Sequence, residues 1–276
     1  MTPRTSSETS TRDRAAPLSA GFPAVRVLEA RLLAARRTLR SAVTSALLNP
    51  LLYLLAMGLG IGAVADPSAA ADLPGGSYLA FLAPGLLVAS AMQLAASESL
   101  WPLMVGLEWN RTYHAVVATP LRPVDLVLGN LAFVLVRAAL AGMLIALVIV
   151  VLGAAPIGGA LAAVGVAVLV AGAFAAPIAA FTAKVRSHPA MTALMRFGIV
   201  PLFLFSGTFF PIENLPAPLQ AVAPVSPLWH GAELARLAAL GAPTAWHPGA
   251  HTGILVGLLV GGAVLAERPI RAVLCR

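Results

Sequence analysis

The chain has 276 residues, of which 59% are hydrophobic and only 11% are charged. Soluble domains average about 45–50% apolar and about 25% charged residues. A water-soluble domain of this length could not bury so much apolar surface, so the composition predicts an integral membrane protein. The formal net charge of +7 is explained better by basic residues beside membrane spans than by nucleic-acid binding.

The N-terminal 40 residues fall into two parts. Residues 1–20 are polar, lack apolar periodicity and predict a disordered cytoplasmic tail. In residues 22–40 apolar residues recur at helical spacing with arginines around them, which predicts an amphipathic helix on the anionic inner membrane surface. A solvated helix with one charged face is the alternative. The basic residues of this interfacial helix are Arg26, Arg31, Arg36, Arg37 and Arg40.

Six apolar segments follow, each close to the roughly 20 residues that a helix needs to cross about 30 Å of hydrocarbon. The third and fourth are separated by only a few residues around 154–156, which predicts a tight hairpin. We therefore expect an all-α bundle with six transmembrane helices. They are placed at about residues 42–64, 79–102, 127–152, 157–181, 191–211 and 250–267.

The basic residues predict the orientation of these spans. Fifteen of the 18 lysines and arginines lie in the N-terminal segment, in the loops before the third and fifth spans, or in the C-terminal tail. The alternate loops hold only Arg236. Six spans with both termini in the cytoplasm satisfy this distribution, and the reverse orientation violates it.

The segment 212–249, before the last span, is apolar but interrupted by prolines into pieces too short to cross a membrane. Helical stretches are expected near residues 215–222 and 228–240. We expect them to form short re-entrant helices that dip back from the outer face and are buried against protein.

Polar residues in the second span lie along one helical face. Such groups usually face the protein interior or a water-filled path. Arg137 in the third span is expected at a depth similar to that of Glu98. These two residues either form an ion pair or extend separately to the inner interface. The polar face consists of Ser90, Gln93, Ser97 and Glu98.

Glycines at every fourth position of the last span form a stripe that permits close helix packing. Gly253, Gly257 and Gly261 make up this stripe. Packing within one subunit is the first expectation, and contact with a second copy of the chain is the alternative.

No catalytic or cofactor motif is present in the sequence. The one lysine, Lys184, lies outside any glycine-rich phosphate-binding sequence, so the chain lacks a P-loop. The five histidines are scattered, and the single cysteine, Cys275, excludes an internal disulfide. We expect no catalytic residue and no bound cofactor or metal. Because Glu98 is the only acid suited to proton coupling, the energy source is expected on another chain.

The polar segment 108–125, EWNRTYHAVVATPLRPVD, resembles the cytoplasmic signature of ABC-2 type exporter permeases. The sequences FLAPG at 81–85 and LFSGTFFP at 204–211 are similar to further parts of that pattern and follow in the expected order. The resemblance covers roughly residues 22–270. Its nearest branches are the nodulation lipo-oligosaccharide exporters and the daunorubicin-resistance drug exporters.

The resemblance implies a permease subunit that is not itself an enzyme. Such a subunit pairs with a second copy of itself and with two copies of a P-loop ATP-binding subunit, where ATP and Mg²⁺ bind. The interfacial helix and the loop between the second and third spans would contact that ATPase, and residues 209–236 would lie near the outer gate. The ATPase-coupling residues expected by position are Glu108, Trp109, Arg111, Thr112, Tyr113, Thr119, Pro120, Leu121, Arg122 and Asp125.

The residues of this segment suit a docking surface independently of the resemblance. Trp109, Tyr113 and Val117 recur at helical spacing as an apolar edge, and charges of both signs surround them. An aromatic stripe with a charged rim is typical of protein interfaces. A helix that only lies on the lipid headgroups is the alternative.

The expected function is outward movement of a lipophilic or lipid-linked substrate, a drug or a lipo-oligosaccharide, across the bacterial inner membrane. Drug export would confer antibiotic resistance. Three rivals remain: an ATP-independent secondary transporter or channel, a membrane-embedded enzyme, and a non-transporting membrane anchor for an ATPase. The substrate path is expected at the interface between two copies of the chain. Its predicted residues are Ser90, Gln93, Ser97, Glu98, Phe209 and Phe210.

Overall fold

The structure is a computed structural model that describes residues 23–36, 48–61, 72–110, 112–113 and 121–274. The described residues are largely helical and contain no strand. Their main helices are α1 (Pro23–Arg36), α2 (48–61, π-helical over Leu54–Ile61), α3 (Tyr78–Met104, extended by π-helical Val105–Trp109), α4 (Pro123–Val151), α5 (Ile157–Val185), α6 (His188–Phe205), α7 (Ala217–Val222), α8 (Pro227–Leu240) and α9 (Pro248–Leu274).

Five of these helices are long and apolar enough to cross a membrane: α3, α4, α5, α6 and α9. They lie where the second to sixth spans are predicted. The first predicted span, 42–64, lies partly outside the described residues, and its described part, α2, is helical. The predicted tail, residues 1–20, lies wholly outside them.

Three helix ends differ clearly from the sequence prediction, among them the end of the last span, since α9 continues to Leu274 and not only to 267. The second predicted span does not end at residue 102, because α3 continues in wider turns to Trp109, where the amide of Asn110 donates to the carbonyl of Val105. The fifth does not reach residue 211, because α6 ends at Phe205 and the chain then bends through Gly207. Gly207 has a φ of 71°, a left-handed conformation that stops a helix and that glycine adopts without strain.

Helix α3 is the centre of the bundle. In its most apolar stretch 78% of the residues are buried, against 22% in α9. Its alanines and glycine, together with Leu82, Leu86 and Leu87, pack into a core shared with α4, α5, α6, α8 and α9. Small side chains on a central helix allow its neighbours to approach closely on all sides.

The predicted hairpin between the third and fourth spans is confirmed. Helix α4 ends at Val151 and α5 begins at Ile157. The predicted glycine stripe meets no partner among the described residues, because a Cβ at Gly253, Gly257 or Gly261 would lie within 4 Å of none of their atoms. The neighbouring Gly262 makes the close contact instead, since a Cβ there would lie 2.5 Å from the ring of Pro177 on α5.

One end of the bundle collects most of the described basic residues, and we call it the arginine-rich end. Here α1, the ends of α3, α5 and α9 and the start of α4 share a separate small core around Val27, Leu107, Leu126 and Ile270. The exposed or half-exposed basic residues around this core are Arg26, Arg36, Arg122, Lys184, Arg186, Arg268 and Arg271. The charge asymmetry of the sequence is therefore reproduced in space.

The opposite end contains the two predicted short helices, α7 and α8. They differ in burial: α8 packs on the bundle through Leu228, Trp229 and Ala232, whereas α7 has no buried residue. The expectation that both are buried against protein therefore holds within the described chain only for α8. Prolines separate the two helices, as the sequence predicts.

A polar network in α8 stabilises the opposite end. Arg236 is buried, donates to the carbonyl oxygens of Phe81 and Gly207, and lies 3.7 Å from a carboxylate oxygen of Glu233. Burial lowers the pKa of Arg236 to about 10, and Glu233 opposes that shift, so the guanidinium is still charged at neutral pH. Arg236 also borders a cavity at this end, but its side chain is held by these contacts to protein groups and is only 5% exposed.

The same helix carries a histidine that contacts the last span. His230 Nε2 donates to the carbonyl of Pro224, and its Nδ1 lies 2.8 Å from Nδ1 of His251 on α9. Burial lowers the pKa of His230, and His251 adds to the effect. The hydrogen bonds fit a neutral His230 that carries its proton on Nε2. Its Nδ1 then accepts a hydrogen bond from Nδ1 of His251.

Candidate functional site

Four helices enclose a cavity of about 300 Å³ beside α3. All four polar residues predicted for the second-span face, Ser90, Gln93, Ser97 and Glu98, line it. The structure thus brings these residues together on one wall. The remaining walls are formed by Asn49, Pro50 and Tyr53 of α2, by Arg137, Ala138, Ala141, Gly142 and Ile145 of α4, and by Phe203 of α6.

The cavity is polar at one end and apolar at the other. Along α3 the lining runs from Leu86 to Glu98, a distance of about 18 Å at 1.5 Å per residue. Glu98 and Arg137 lie toward the arginine-rich end, while Leu86, Ile145 and Phe203 line the part toward the opposite end. An elongated cavity with one charged end suits an amphipathic molecule.

The ion pair between Glu98 and Arg137, one of the two sequence alternatives, is confirmed. Nη1 of Arg137 donates to Oε1 of Glu98. The other carboxylate oxygen, Oε2, lies 3.5 Å from Nη2 of Arg31 on α1. Each oxygen of Glu98 is therefore engaged by a different arginine, and two guanidinium groups share one carboxylate.

Arg31 is inserted into the protein, and its side chain is only 16% exposed. Its Nη1 donates to the side-chain oxygen of Asn130, and it lies 3.3 Å from the hydroxyl of Tyr113. Its guanidinium lies 4.5 Å from the ring centre of Phe133, a cation–π contact. Arg31, predicted as one of the basic residues of the interfacial helix, faces the bundle, because Glu98 offers it a largely buried counter-charge.

We call this group the Glu98 cluster: Glu98, Arg31, Arg137, Asn130, Tyr113 and Phe133. The Tyr113 hydroxyl donates to Asn130 at 3.1 Å, and the Asn130 amide donates to the carbonyl of Leu126 at 2.8 Å. The cluster connects α1, α3, α4 and the segment after α3. It carries one excess positive charge, since two arginines face one acid.

The close fit of α1 on α4 depends on Gly129. A Cβ at Gly129 would lie 2.5 Å from Cβ of Val27 and 2.7 Å from the carbonyl oxygen of Ala24. The packed face of α1 is therefore Ala24, Val27 and Arg31, whereas the apolar Val25 is 45% exposed. Arg36 is exposed, and Arg37 and Arg40 lie outside the described residues.

The predicted ATPase-coupling residues lie in three different environments. Trp109 is 63% exposed, whereas Tyr113 is buried against Gly106 and belongs to the Glu98 cluster. The predicted apolar edge is thus divided after Asn110, where the helix ends. Glu108 is paired with Arg186 of α5 at 2.9 Å.

The beginning of α4 contributes the rest of this surface. Arg122 and Thr112 are exposed, and Leu121 packs partly into the small core. The carboxylate of Asp125 accepts a hydrogen bond from the backbone amide of Arg122 at 2.9 Å, which caps the helix. Arg111, Thr119 and Pro120, like Val117, lie outside the described residues.

The two aromatics predicted for the substrate path do not line the cavity. Phe209 is buried behind it, in ring contact with Phe203 and Tyr53, and its carbonyl accepts from the Tyr78 hydroxyl at 2.9 Å. Phe210 is half-buried and packs on the main core. Phe203 and Tyr53 supply the aromatic lining that the sequence interpretation assigned to residues 209 and 210.

Several site residues were missed from the sequence. Asn130 and Phe133 were not identified, although they recur at helical spacing with Leu126 and the predicted Arg137 on α4, a common face that could have indicated them. No local pattern indicates that Arg31 turns inward. A second cavity of about 610 Å³, beside Trp229, Trp246 and Arg236 at the opposite end, was also missed.

The five apolar helices, the polar-lined cavity within them and the basic end define a membrane transport protein. Residues 24–240 match the family described as ABC-2 type transporter. The chain belongs to this family, and it is a transporter permease.

Curated relatives cover nearly the whole chain. Nodulation protein J of Rhizobium leguminosarum bv. viciae is 31% identical over 244 residues, which span 87% of this chain and 92% of the relative. Nodulation protein J of Rhizobium meliloti (strain 1021) is 31% identical over 85% of this chain and 87% of the relative. Nodulation protein J of Rhizobium leguminosarum bv. trifolii is 32% identical over 82% of this chain and 86% of the relative.

Proposed function

We propose that this chain is the permease of an ATP-driven exporter in the bacterial inner membrane, moving a lipophilic or lipid-linked substrate outward. A lipo-oligosaccharide or a drug would suit such a path. The observation that carries the proposal is the amphipathic cavity beside α3, whose charged end is joined to α1 through Glu98. Because α1 contacts the charged end of the cavity, a movement of α1 can change the surroundings of a bound substrate.

The energy source in this proposal is a separate P-loop ATP-binding subunit, present in two copies with two copies of the permease. Family membership supports it, because ABC-2 permeases normally pair with an ATP-binding subunit. The sequence supports it as well, since its single lysine lies in no phosphate-binding loop. ATP and Mg²⁺ would bind on the partner.

The docking surface for that subunit is proposed at the arginine-rich end, which would face the cytoplasm under the positive-inside rule. Trp109 and Arg122 are its best candidates, because both side chains are exposed near the buried Leu107 and Tyr113. A large exposed aromatic with charges around it is the usual centre of a protein interface. Both chain termini would lie on this side.

The proposal is tested by purifying the permease with its ATP-binding subunit. We expect Trp109→Ala to weaken the complex by about 2 kcal/mol, as at a central interface aromatic, and Arg122→Glu to weaken it through charge reversal. Asp72→Arg reverses an exposed charge at the opposite end and should leave binding unchanged. A permease that purifies alone and transports in liposomes without ATP would instead favour a secondary transporter or channel.

A further inference from the structure

We propose that the cavity beside α3 binds the anionic head group of an amphiphile, held by Arg137, in preference to a cationic one. This inference rests on the proposed function, because it names the chemistry of the substrate for that site. The anionic group would be a phosphate, sulfate or carboxylate at the end of an aliphatic chain.

The first argument concerns the unused hydrogen-bond donors at the charged end. A guanidinium has five N–H donors, and Arg137 uses one of its nitrogens on Glu98, with no second hydrogen bond to a described residue. Gln93 and Ser97 line the same cavity and likewise form no side-chain hydrogen bond within the described part of the chain. These groups lie half-exposed in the cavity and are available to a ligand.

The second argument concerns the sign of the charge. Among the described residues Glu98 is the only acid that lines the cavity, and Arg31 and Arg137 engage its two oxygens separately. A cationic ligand would have to displace an arginine from that carboxylate. An anion meets a guanidinium with spare donors and one uncompensated positive charge, the arrangement that favours bidentate binding of phosphate or carboxylate.

The third argument concerns the rest of the cavity. Beyond Ser90, whose hydroxyl donates to the carbonyl of Leu86, the lining is formed by Leu86, Leu87, Ile145, Phe203 and Tyr53. An alkyl chain attached to the bound head group would extend along this wall. A free inorganic anion would leave it unfilled, so the ligand is an amphiphile.

The experiment measures direct binding by calorimetry to the full chain in phosphatidylcholine nanodiscs, without ATP or partner. The probes share one alkyl chain: dodecyl phosphate and dodecyltrimethylammonium. We expect dodecyl phosphate to bind at least about tenfold more tightly, and Arg137→Gln to remove most of that preference. Arg268→Gln, an exposed arginine of α9 far from the cavity lining, is the matched control and should change nothing.

Glu98→Gln should change the affinity for dodecyl phosphate in the opposite direction from Arg137→Gln. It releases both arginines from their counter-charge, so binding of dodecyl phosphate should tighten by about tenfold or more. Gln93→Leu changes no charge and should weaken the binding of dodecyl phosphate slightly. It keeps the test decisive if a charge variant fails to fold. Thermal melting of each variant shows whether it is folded. Equal affinities for the two probes, or an unchanged preference in Arg137→Gln, would overturn the inference.

Two sources of the anionic amphiphile are separated by native mass spectrometry after reconstitution with phosphatidylglycerol. Phosphatidylglycerol retained by the wild-type chain and lost in Arg137→Gln identifies a membrane lipid as the occupant. Binding of dodecyl phosphate without lipid retention identifies an exported amphiphile. Because these measurements need neither transport nor ATP, anion binding that persists when transport is found to be ATP-independent would overturn only the proposed function.

Discussion

Arg137 and Arg236 lie toward opposite ends of the same apolar bundle and use their donors in different ways. Arg236 is buried, donates to two backbone carbonyls, contacts Glu233 and lies 3.9 Å from the ring centre of Phe81. Arg137 makes one ion pair and otherwise faces a cavity. Both arginines have a carboxylate partner, yet they differ in how their remaining donors are used.

The comparison teaches how a charged side chain in a membrane bundle can be assigned. An arginine whose donors all point to protein holds helices together, because its burial is compensated only in that one arrangement. An arginine with donors left over in a cavity is available to a ligand. Arg236 is thus a structural clamp between α3, α8 and the bend after α6, and Arg137 belongs to a binding site.

The largest expected effect is at the clamp. Arg236→Ala removes the hydrogen bonds that Arg236 donates to the Phe81 and Gly207 carbonyls and the ion pair with Glu233, so it should lower the free energy of unfolding by about 3–5 kcal/mol. Arg268→Ala removes an exposed arginine and should change it by less than about 0.5 kcal/mol. Thermal melting of the purified variants measures both. Equal melting temperatures of Arg236→Ala and Arg268→Ala would show that Arg236 does not stabilise the packing of the helices.

A smaller effect is expected at the Glu98 cluster. Glu98→Ala leaves Arg31 and Arg137 without a counter-charge and should cost about 1–3 kcal/mol. It should also speed amide hydrogen exchange in α1, since Arg31 loses its anchor. Glu108→Ala breaks an ion pair with Arg186 whose side chains are 33% and 37% exposed, so it should cost less than about 1 kcal/mol. Unchanged exchange in α1 would contradict the anchoring role of Glu98.

The smallest effect tests the contact of α1 with α4. Gly129→Ala places a methyl group against Val27 and Ala24 and should cost about 1–2 kcal/mol, because the helix must move away. Gly165→Ala lies in α5 with no atom within 4 Å of the added methyl and should cause no loss. Proteolysis between α1 and α2 should accelerate only in the first variant. Identical protection of both variants would show that α1 does not need Gly129.

Much of the fold could be predicted from the sequence, because lipid imposes a strong constraint on length and polarity. Apolar runs of about 20 residues, interrupted by prolines and polar segments, predicted the helices that became α3, α4, α5, α6 and α9. The polar face of α3 was predicted from helical spacing alone. The ends of α3 and α6 were not, because a π-helical extension and a left-handed glycine leave no length signal.

The candidate site was predicted only in part. The sequence identified Ser90, Gln93, Ser97 and Glu98 as one face and proposed the pair with Arg137. It assigned Arg31 to the membrane surface and placed the aromatic lining at Phe209 and Phe210. The inward direction of Arg31 could not be predicted, because the direction of a side chain at a helix surface depends on which neighbour contacts it, and no local sequence pattern indicates that neighbour.

By itself, the sequence determined a basic, helical membrane protein without a P-loop, since composition and periodicity follow directly from the solvent in which a chain must fold. Only the tertiary structure decided how the charges are shared. Gly129 allows α1 to approach α4, Arg31 then reaches Glu98, and the second oxygen of Glu98 is left for Arg137. The unused hydrogen-bond donors of Arg137 result from this sharing of Glu98 between two arginines. The sharing depends on contacts between residues far apart in the chain.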